Sequence, residues 1–503
     1  MTIGELLEAI TSALPAPPAI AGDRAGLATT CTGVTHDSRR VVPGTVFVAL
    51  RGLKADGSAF VPQAIESGAA AVVTEQAAPP RAKVPWITVG DARFALALLA
   101  SAFFGHPSRE MRVVGITGTN GKTTTSYLVS AIFEAAGIAC GLMGTVSYRI
   151  GARTFDATRT TPEAPELQGF MREMVSAGCG ACVMEVSSHA LALRRVDGIR
   201  FAAGVFTNLT RDHLDFHADM EDYFSAKRRL FEMLPDDAPA VINVDDPRGA
   251  SLVDVVRRPV TYAIHRPADV APGPLSFSLQ GLEFDIRSPQ GPVRVQSRLV
   301  GKPNVYNILA AVGATASLGV PVGAIEEGLR GLPGVPGRFE IASTAEDDIT
   351  VIVDYAHTDD ALRNLLETAR PMAVRRLITV FGAGGDRDRT KRPLMGMVAA
   401  RLSDVVVITS DNPRSEDPQR IIEEVRRGAD AETRQSNAEV VTVVDRRDAI
   451  AQAIERAVQG DVVLIAGKGH EKYQEIAGRT FTFDDVAVAR EALEARRVKS
   501  RAR

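Results

Sequence analysis

Residues 111–137, MRVVGITGTNGKTTTSYLVSAIFEAAG, decide the fold. An apolar run over 111–117 stops at a glycine-rich turn, and a helical pattern begins at Thr123. Backbone N–H groups in such a turn, aligned with the start of a helix, form a site for phosphate. Gly118 and Gly121 leave the backbone open to close approach, with Thr119 and Asn120 between them. Lys122 is suited to neutralise β- and γ-phosphates, and the hydroxyl of Thr123 or Thr124 to ligate Mg²⁺. Ile116 stands where the general phosphate-loop pattern has its first glycine, so T-G-T-N-G-K-T is a restricted variant.

On either side the chain divides into three blocks. Residues 1–108 mix short strands (45–50, 70–74) with glycine turns and end at a Gly-His-Pro-Ser break read as a linker. Residues 109–336 carry the phosphate loop and further apolar strands at 181–186, 202–209 and 238–244. The Gly/Pro cluster at 331–340 marks the next boundary. Residues 337–503 repeat strand-then-turn at 349–357, 376–386, 404–414, 439–445 and 461–471. Buried strands alternating with amphipathic helices predict an α/β fold. The expectation is three domains, with a central parallel sheet of phosphate-loop type and a C-terminal Rossmann-like doubly wound sheet. Ligands belong beyond the carboxyl ends of such strands. VKSRAR at the end is read as a frayed basic terminus.

The 503 residues are 45% hydrophobic and 24% charged, with a formal charge of -3. Neither nucleic acid nor an anionic membrane is expected as a partner of so balanced a chain. No apolar run reaches the roughly 20 residues of a membrane span, and the first residues lack a signal peptide's basic and apolar regions. A cytoplasmic monomer is expected. Cys31, Cys140, Cys179 and Cys182 lack a second pair at zinc spacing and are read as reduced packing residues.

A phosphate loop alone suits a motor, a kinase or a switch. Glu185 ends an apolar strand, where a magnesium-holding carboxylate belongs, and is followed by Ser187-Ser188-His189. In TNLTRDHLDFHADMEDYFSAK, His213 is the better candidate for a metal contact, and His217 and Asp219 read as surface loop. Lys227 lies on a helix, where lysine is ordinarily a solvated charge.

TGTNGKTTT, MEVSSHAL, FTNLTRDHLDFH, YFSAKRRLF, GKPNVYN, PGRFE, VDYAHTDDAL and GKGHE, in this order, resemble the Mur ligase family, which builds the peptide of bacterial cell-wall precursors. The resemblance spans residues 36–471. It implies an ATP-dependent amide ligase that activates a carboxylate as an acyl phosphate for attack by an amine. It further implies that Lys227 takes up CO₂ as a carbamate and, with Glu185, His213 and Thr123, holds Mg²⁺. Asn304, Arg338, Asp354 and His357 match nucleotide-side positions, although Asp359 replaces the usual proline of the DYAHTPDAL motif.

The first block is expected to hold a UDP-sugar, with Ser38 of the DSR motif at the uridine end and the loop 51–57 beside it. Thr160, Thr161, Ser187 and Arg195 match contacts to a muramoyl dipeptide; Leu193 stands where some members have Gln. Asp411-Asn412-Pro413-Arg414 is the tetrapeptide of the members that add diaminopimelate. That amino acid differs from lysine by a second α-carboxylate, which suits an arginine fork. Arg387, Gly467 and Glu471 match further contacts to it, with Glu471 on the distal ammonium. Within the enzymes the rivals are a lysine-adding relative and a folylpolyglutamate synthetase. A hydrolysing motor or switch and an inactive binding protein stand outside them.

Overall fold

The computed structural model describes residues 1–52, 56–278 and 280–501. Residues 53–55 of the expected substrate loop, and the last two of the C-terminal hexapeptide, lie outside them. Residues 498–501 continue the final helix Asp485–Arg501 instead of fraying.

Three main sheets follow one another along the chain. The first has five strands, ordered Ala19–Ala21, Trp86–Thr88, Ala71–Thr74, Thr45–Val48, Gly33–Thr35, and is parallel except at its first pair. The central sheet has eight strands. Its parallel part runs Pro259–Tyr262, Ala240–Asn243, Ala203–Phe206, Arg112–Thr117, Ala181–Glu185, Cys140–Met143. Two antiparallel strands, Ser147–Ile150 and Arg153–Asp156, extend that edge. The strands that carry the phosphate loop and Glu185 are therefore neighbours, and their polar ends open on the same side.

The third sheet has six strands, ordered Glu340–Ile341, Thr350–Asp354, Val462–Ala466, Leu377–Phe381, Val405–Ile408, Glu439–Thr442. All pairs but the first are parallel. Helices cover both faces, with Leu362, Leu366, Met395 and Val425 on one and Ile450, Ile454, Ala489 and Leu493 on the other. The architecture is the expected α/β fold.

Two pieces go beyond the expectation. The strands Ala271–Pro272, Ser276–Ser278, Gly281–Ser288 and Gly291–Ser297 form a separate antiparallel sheet, and Gly281–Ser288 alternates buried and exposed. Its inward Leu282, Phe284 and Ile286 pack into the core with Leu128 and Ile132 of the phosphate-loop helix Lys122–Ala135. A hairpin, Tyr473–Ile476 with Arg479–Thr482, follows the GKGHE segment. The 105–108 break is a packed joint, in which Arg172 donates to the carbonyls of Phe104 and Gly105 and Ser108 accepts from Arg200 N. All four cysteines are free and buried. Among the described residues no helix is long and apolar enough to cross a membrane.

Candidate functional site

The phosphate loop owes its shape to two glycines. Gly118 has φ 146° and Gly121 φ 87°. A Cβ on Gly118 would stand 1.9 Å from Thr207 Oγ1, and one on Gly121 2.3 Å from Asn307 Oδ1. Thr207 Oγ1 donates to Asn120 O at 2.7 Å, and Asn208 Oδ1 accepts from Asn120 N at 2.9 Å. Thr119 N donates to Asn208 O at 2.8 Å, so the strand end Phe206–Asn208 moulds the loop from below. Thr123 and Thr124 begin the helix, both buried.

Two lysines converge on this loop. Lys122 Nζ donates to Gly118 O at 2.9 Å and Thr119 O at 2.8 Å. Lys227 Nζ, on the helix Met220–Glu232, donates to the same Gly118 O at 2.8 Å and lies 4.4 Å from the centre of the Tyr223 ring. Lys227 is only 1% exposed, so it is no solvated charge. Burial lowers the pKa of both, and the Lys122 charge pushes Lys227 lower still. A buried amine losing its proton becomes a nucleophile, the form that reacts with CO₂.

Glu185 accepts from Thr145 N at 2.8 Å and Thr145 Oγ1 at 3.0 Å, and Thr145 Oγ1 meets Thr160 Oγ1 at 3.1 Å. Thr161 Oγ1 donates to Glu185 O at 2.9 Å and to Ser187 Oγ at 3.3 Å. Thr160, Thr161 and Ser187 are thus one cluster beside Glu185. Arg195 adjoins it, donating to Thr161 O at 3.1 Å and pairing with Glu163 at 2.7 Å. Arg159 pairs with the same Glu163 oxygen at 2.7 Å, a partner the sequence reading missed. Ser38 belongs to the first sheet's edge, where it donates to Gln63 Oε1 at 3.2 Å. Arg40, two residues on, reaches Glu166 of the central helix Ala164–Ser176 at 2.7 Å.

His213 sits in the left-handed region (φ 57°) with Nε2 3.4 Å from Asp212 Oδ2. Burial pulls its pKa down to about 3, so its imidazole is neutral at physiological pH with a lone pair free for a metal. His217 is not on a surface loop. It is 2% exposed, with Ser188 Oγ at 3.0 Å and Asp222 Oδ2 at 3.1 Å on its two ring nitrogens. Asp219 caps the Lys227 helix, accepting from Glu221 N at 2.9 Å and Asp222 N at 2.8 Å. Both residues hold that helix in place.

The third domain closes on this cluster. Arg338 Nη2 donates to Thr123 Oγ1 at 3.0 Å, and its guanidinium lies 4.5 Å from the Tyr355 ring centre. His357 Nε2 is 3.8 Å from Asp212 Oδ2. Asp354 is turned inward, accepting from Phe339 N at 2.7 Å and Ala356 N at 2.8 Å; it shapes the turn that presents Arg338 and His357. Asn304 is also a helper: it holds Asn307, which abuts Gly121 from one helical turn further on. Arg211 crosses to Asp359 at 3.0 Å and Thr390 at 2.6 Å, and Asn120 to Asp360 at 3.2 Å. Asp359, the departure from the family motif, therefore carries a cross-domain ion pair.

The expected amino-acid residues gather at the carboxyl ends of the third sheet. Asn412, 2% exposed, donates to Glu471 Oε2 at 2.9 Å and accepts from Lys468 Nζ at 3.0 Å. Lys468 pairs with Glu471 at 3.2 Å. Gly467 N donates to Asp354 O, linking this cluster to the nucleotide side. Asp411 Oδ2 is buried without a hydrogen-bond partner among the described residues. Burial first, then Asp411, raises the pKa of Glu471. Arg414, after Pro413, is left-handed (φ 53°) and donates to Gly385 O at 2.6 Å. Arg387 Cγ and Arg414 Nη1 both flank Gly384. Lys468 and Glu475 were not singled out in the sequence: the first lies inside GKGHE between the residues that were, and the second reaches the cluster only through the hairpin.

Among the described residues no three His, Cys, Asp or Glu side chains gather as a metal site. The expected Mg²⁺ set takes only Glu185 and His213 from those types. The Glu185 carboxylate, fixed by Thr145, and the Thr123 hydroxyl are hard oxygen donors that fit Mg²⁺ beside phosphate. Lys227 fits only once its amine has become an anionic carbamate.

Three family descriptions match the chain: "Mur ligase family, catalytic domain" over residues 30–104, "Mur ligase middle domain" over 116–315, and "Mur ligase, glutamate ligase domain" over 337–469. The UDP-N-acetylmuramoyl-L-alanyl-D-glutamate–2,6-diaminopimelate ligase of Solibacter usitatus is 46% identical over 497 residues, 98% of each chain. That of Gloeobacter violaceus is 50% identical over 466 residues, 92% of this chain and 94% of its own. A solved structure of a ligase of that name is similar at 35% identity and TM-score 0.66, covering 93% of this chain and 95% of its own. With a phosphate loop, a buried lysine above it and a third domain closing over both, matched along nearly the whole length, the chain belongs to the Mur ligase family.

Proposed function

We propose that this protein adds meso-2,6-diaminopimelate to UDP-N-acetylmuramoyl-L-alanyl-D-glutamate, using ATP and releasing ADP and phosphate. The observation that supports the specificity is that one tetrapeptide brings a guanidinium and carboxylates to the same end of the sheet: Asn412 donates to Glu471 Oε2 at 2.9 Å, and Arg414, two residues on, is held by Gly385 O at 2.6 Å. A distal centre bearing both a carboxylate and an ammonium is the complement of that arrangement. Lysine offers only the ammonium.

The proposed domains are 1–108 for the UDP-sugar, 109–336 for ATP and 337–503 for the amino acid. ATP binds with its phosphates on the backbone of Gly118–Thr124 and on Lys122, and with Asn304, Arg338 and His357 beside it. Ser38 meets the uridine end of the other substrate; Thr160, Thr161, Ser187 and Arg195 hold its dipeptide, whose terminal carboxylate is aimed at the γ-phosphate. That carboxylate displaces ADP, giving an acyl phosphate. The amine then attacks the acyl carbon, and phosphate leaves the tetrahedral intermediate. Positioning and charge neutralisation account for catalysis of this kind, and no protein nucleophile is required. Thr123, Glu185, His213 and carbamylated Lys227 are the proposed Mg²⁺ residues; the ion supplies charge neutralisation at the phosphoryl oxygens. Arg387, Asp411, Asn412, Pro413, Arg414, Gly467 and Glu471 form the diaminopimelate site. The enzyme is proposed to act as a monomer in the cytoplasm, where ATP and the UDP-linked precursor are made.

The test is phosphate release with ATP, Mg²⁺ and UDP-muramoyl-L-Ala-D-Glu, comparing meso-diaminopimelate with L-lysine. Turnover with diaminopimelate alone is expected. Turnover with lysine would overturn the specificity, and hydrolysis indifferent to both amines would overturn ligation.

A further inference from the structure

The hairpin Tyr473–Thr482 is the wall of the amino-acid pocket that the sequence motifs leave out. Its first strand is laced to the tetrapeptide 411–414 along its length. Gln474 Nε2 donates to Asp411 O at 2.7 Å, and Glu475 N to Asn412 Oδ1 at 3.0 Å. Arg414 N donates to Glu475 O at 3.0 Å, and Ala477 N to Arg414 O at 2.7 Å. These backbone bonds hold Arg414 in a left-handed conformation (φ 53°) that a non-glycine residue keeps only when its surroundings impose it.

The side chains continue the pattern. Glu475 Oε2 lies 3.4 Å from Arg414 Nε, while Arg414 Nη1 donates to Gly385 O at 2.6 Å. A guanidinium has five N–H donors in a planar fork. Glu475 faces the Nε edge, Gly385 takes one Nη1 hydrogen, and Nη2 has no hydrogen-bond partner among the described residues. Glu475 thus flanks one edge of the fork and Gly385 takes one Nη1 hydrogen, which leaves Nη2 as the donor available to a carboxylate among the described residues. Arg414 is one-fifth exposed and Glu475 about two-fifths, 20% and 37%, so the pair borders solvent.

We infer that Glu475 is a positioning residue for amino-acid selection: it aims the Arg414 fork at the distal carboxylate of the incoming amino acid. This rests on the proposed diaminopimelate reading. Two other roles are separable from it. If Glu475 bound the distal ammonium itself, it would serve lysine equally. If it merely filled the Arg414 site until substrate arrived, its removal would improve binding.

The experiment uses the full-length enzyme and the variants Glu475→Gln, Arg414→Ala and the double variant, with KM and kcat for meso-diaminopimelate and L-lysine assayed as substrate or competitive inhibitor. Glu475→Gln keeps every backbone bond of the hairpin, and an unchanged melting temperature and KM for ATP establish that the fold is intact. The expected result is a KM for diaminopimelate raised about three- to tenfold with kcat changed less than twofold, lysine binding unaltered, and no further rise in the double variant over Arg414→Ala. Equal weakening of both amino acids, a lowered KM, no change, or additive effects in the double variant would each overturn the inference. A wild-type enzyme that prefers lysine would overturn the diaminopimelate reading itself, a separate result that the unsubstituted protein reports first.

Discussion

Lys122 and Lys227 meet at one carbonyl oxygen, and neither makes an ion pair among the described residues, whereas in the third domain the charges alternate in sign. Lys468 faces Glu471, Arg414 faces Glu475, and beneath them Arg446 is paired with Asp485 at 2.7 Å with both side chains 0% exposed. The difference matches the ligand proposed for each site. A triphosphate is strongly anionic, which suits the unpaired Lys122, while the proposed carbamate would turn Lys227 from a cation into an anionic oxygen donor for the metal. A zwitterionic amino acid has both signs, so its site is a preorganised lattice of both signs.

The deepest pair in the lattice gives the largest expected effect. Arg446 also donates to Ala466 O at 3.0 Å and Ser410 O at 3.3 Å, the residues that precede Gly467 and Asp411. Asp485→Ala leaves a buried guanidinium uncompensated and should cost about 3–5 kcal/mol of stability, read by urea unfolding. A loss below 1 kcal/mol, on the order of a surface pair, would mean that water reaches Arg446 and the lattice is not closed.

At the opposite pole, Lys227→Ala should lower kcat by about 10²–10³, the scale of losing a preorganised transition-state contact. A short-chain carboxylate added to the assay should restore part of it by standing in for the carbamate. Full activity without rescue would remove the carbamate from the mechanism. Arg414→Ala comes next: with the substrate's carboxylate unpaired, diaminopimelate binding should weaken by about 1–3 kcal/mol, seen in KM. An unchanged KM would take Arg414 out of the pocket.

A pH series sharpens the contrast. Burial and Asp411 raise the pKa of Glu471, so its carboxylate becomes neutral sooner on acidification than an ordinary glutamate. A neutral Glu471 cannot hold an ammonium, so KM for the amino acid should climb as pH falls through that raised pKa while KM for ATP stays flat. Parallel changes in both would place the titrating group elsewhere. Smallest of all, Arg211→Ala removes the partly exposed pair to Asp359 and should cost about 0.5–1 kcal/mol in the closed arrangement. It should appear as a modest rise in KM for ATP, and an effect tenfold larger would make this pair the main latch.

The comparison also explains which parts of the site were legible. The phosphate loop is contiguous: its glycines, lysine and threonines dictate a strand–turn–helix wherever they occur, so residues 111–137 determined the central fold and the anion site without help. The tetrapeptide 411–414 and GKGHE likewise follow apolar strands, and their polar residues emerge at the carboxyl ends as that topology requires. The alternation in GLEFDIRS was present in the sequence as a strand signal, yet what it packs against was not.

Tertiary structure alone decided the rest, because those relations join residues far apart in the chain. His217, polar and flanked by aspartates, is buried by contact with Ser188, 29 positions earlier. Asp354 and Asn304 resemble nucleotide contacts, and only the fold shows that Asp354 also accepts from the Phe339 and Ala356 N–H groups and Asn304 from Asn307. Asp212 meets His357 only because two domains close. Glu475 reaches Arg414 only because a hairpin folds back after Gly469. A sequence fixes local backbone geometry and the types of group on offer; which charge faces which is set by long-range packing, where a displacement of one residue's register changes every partner.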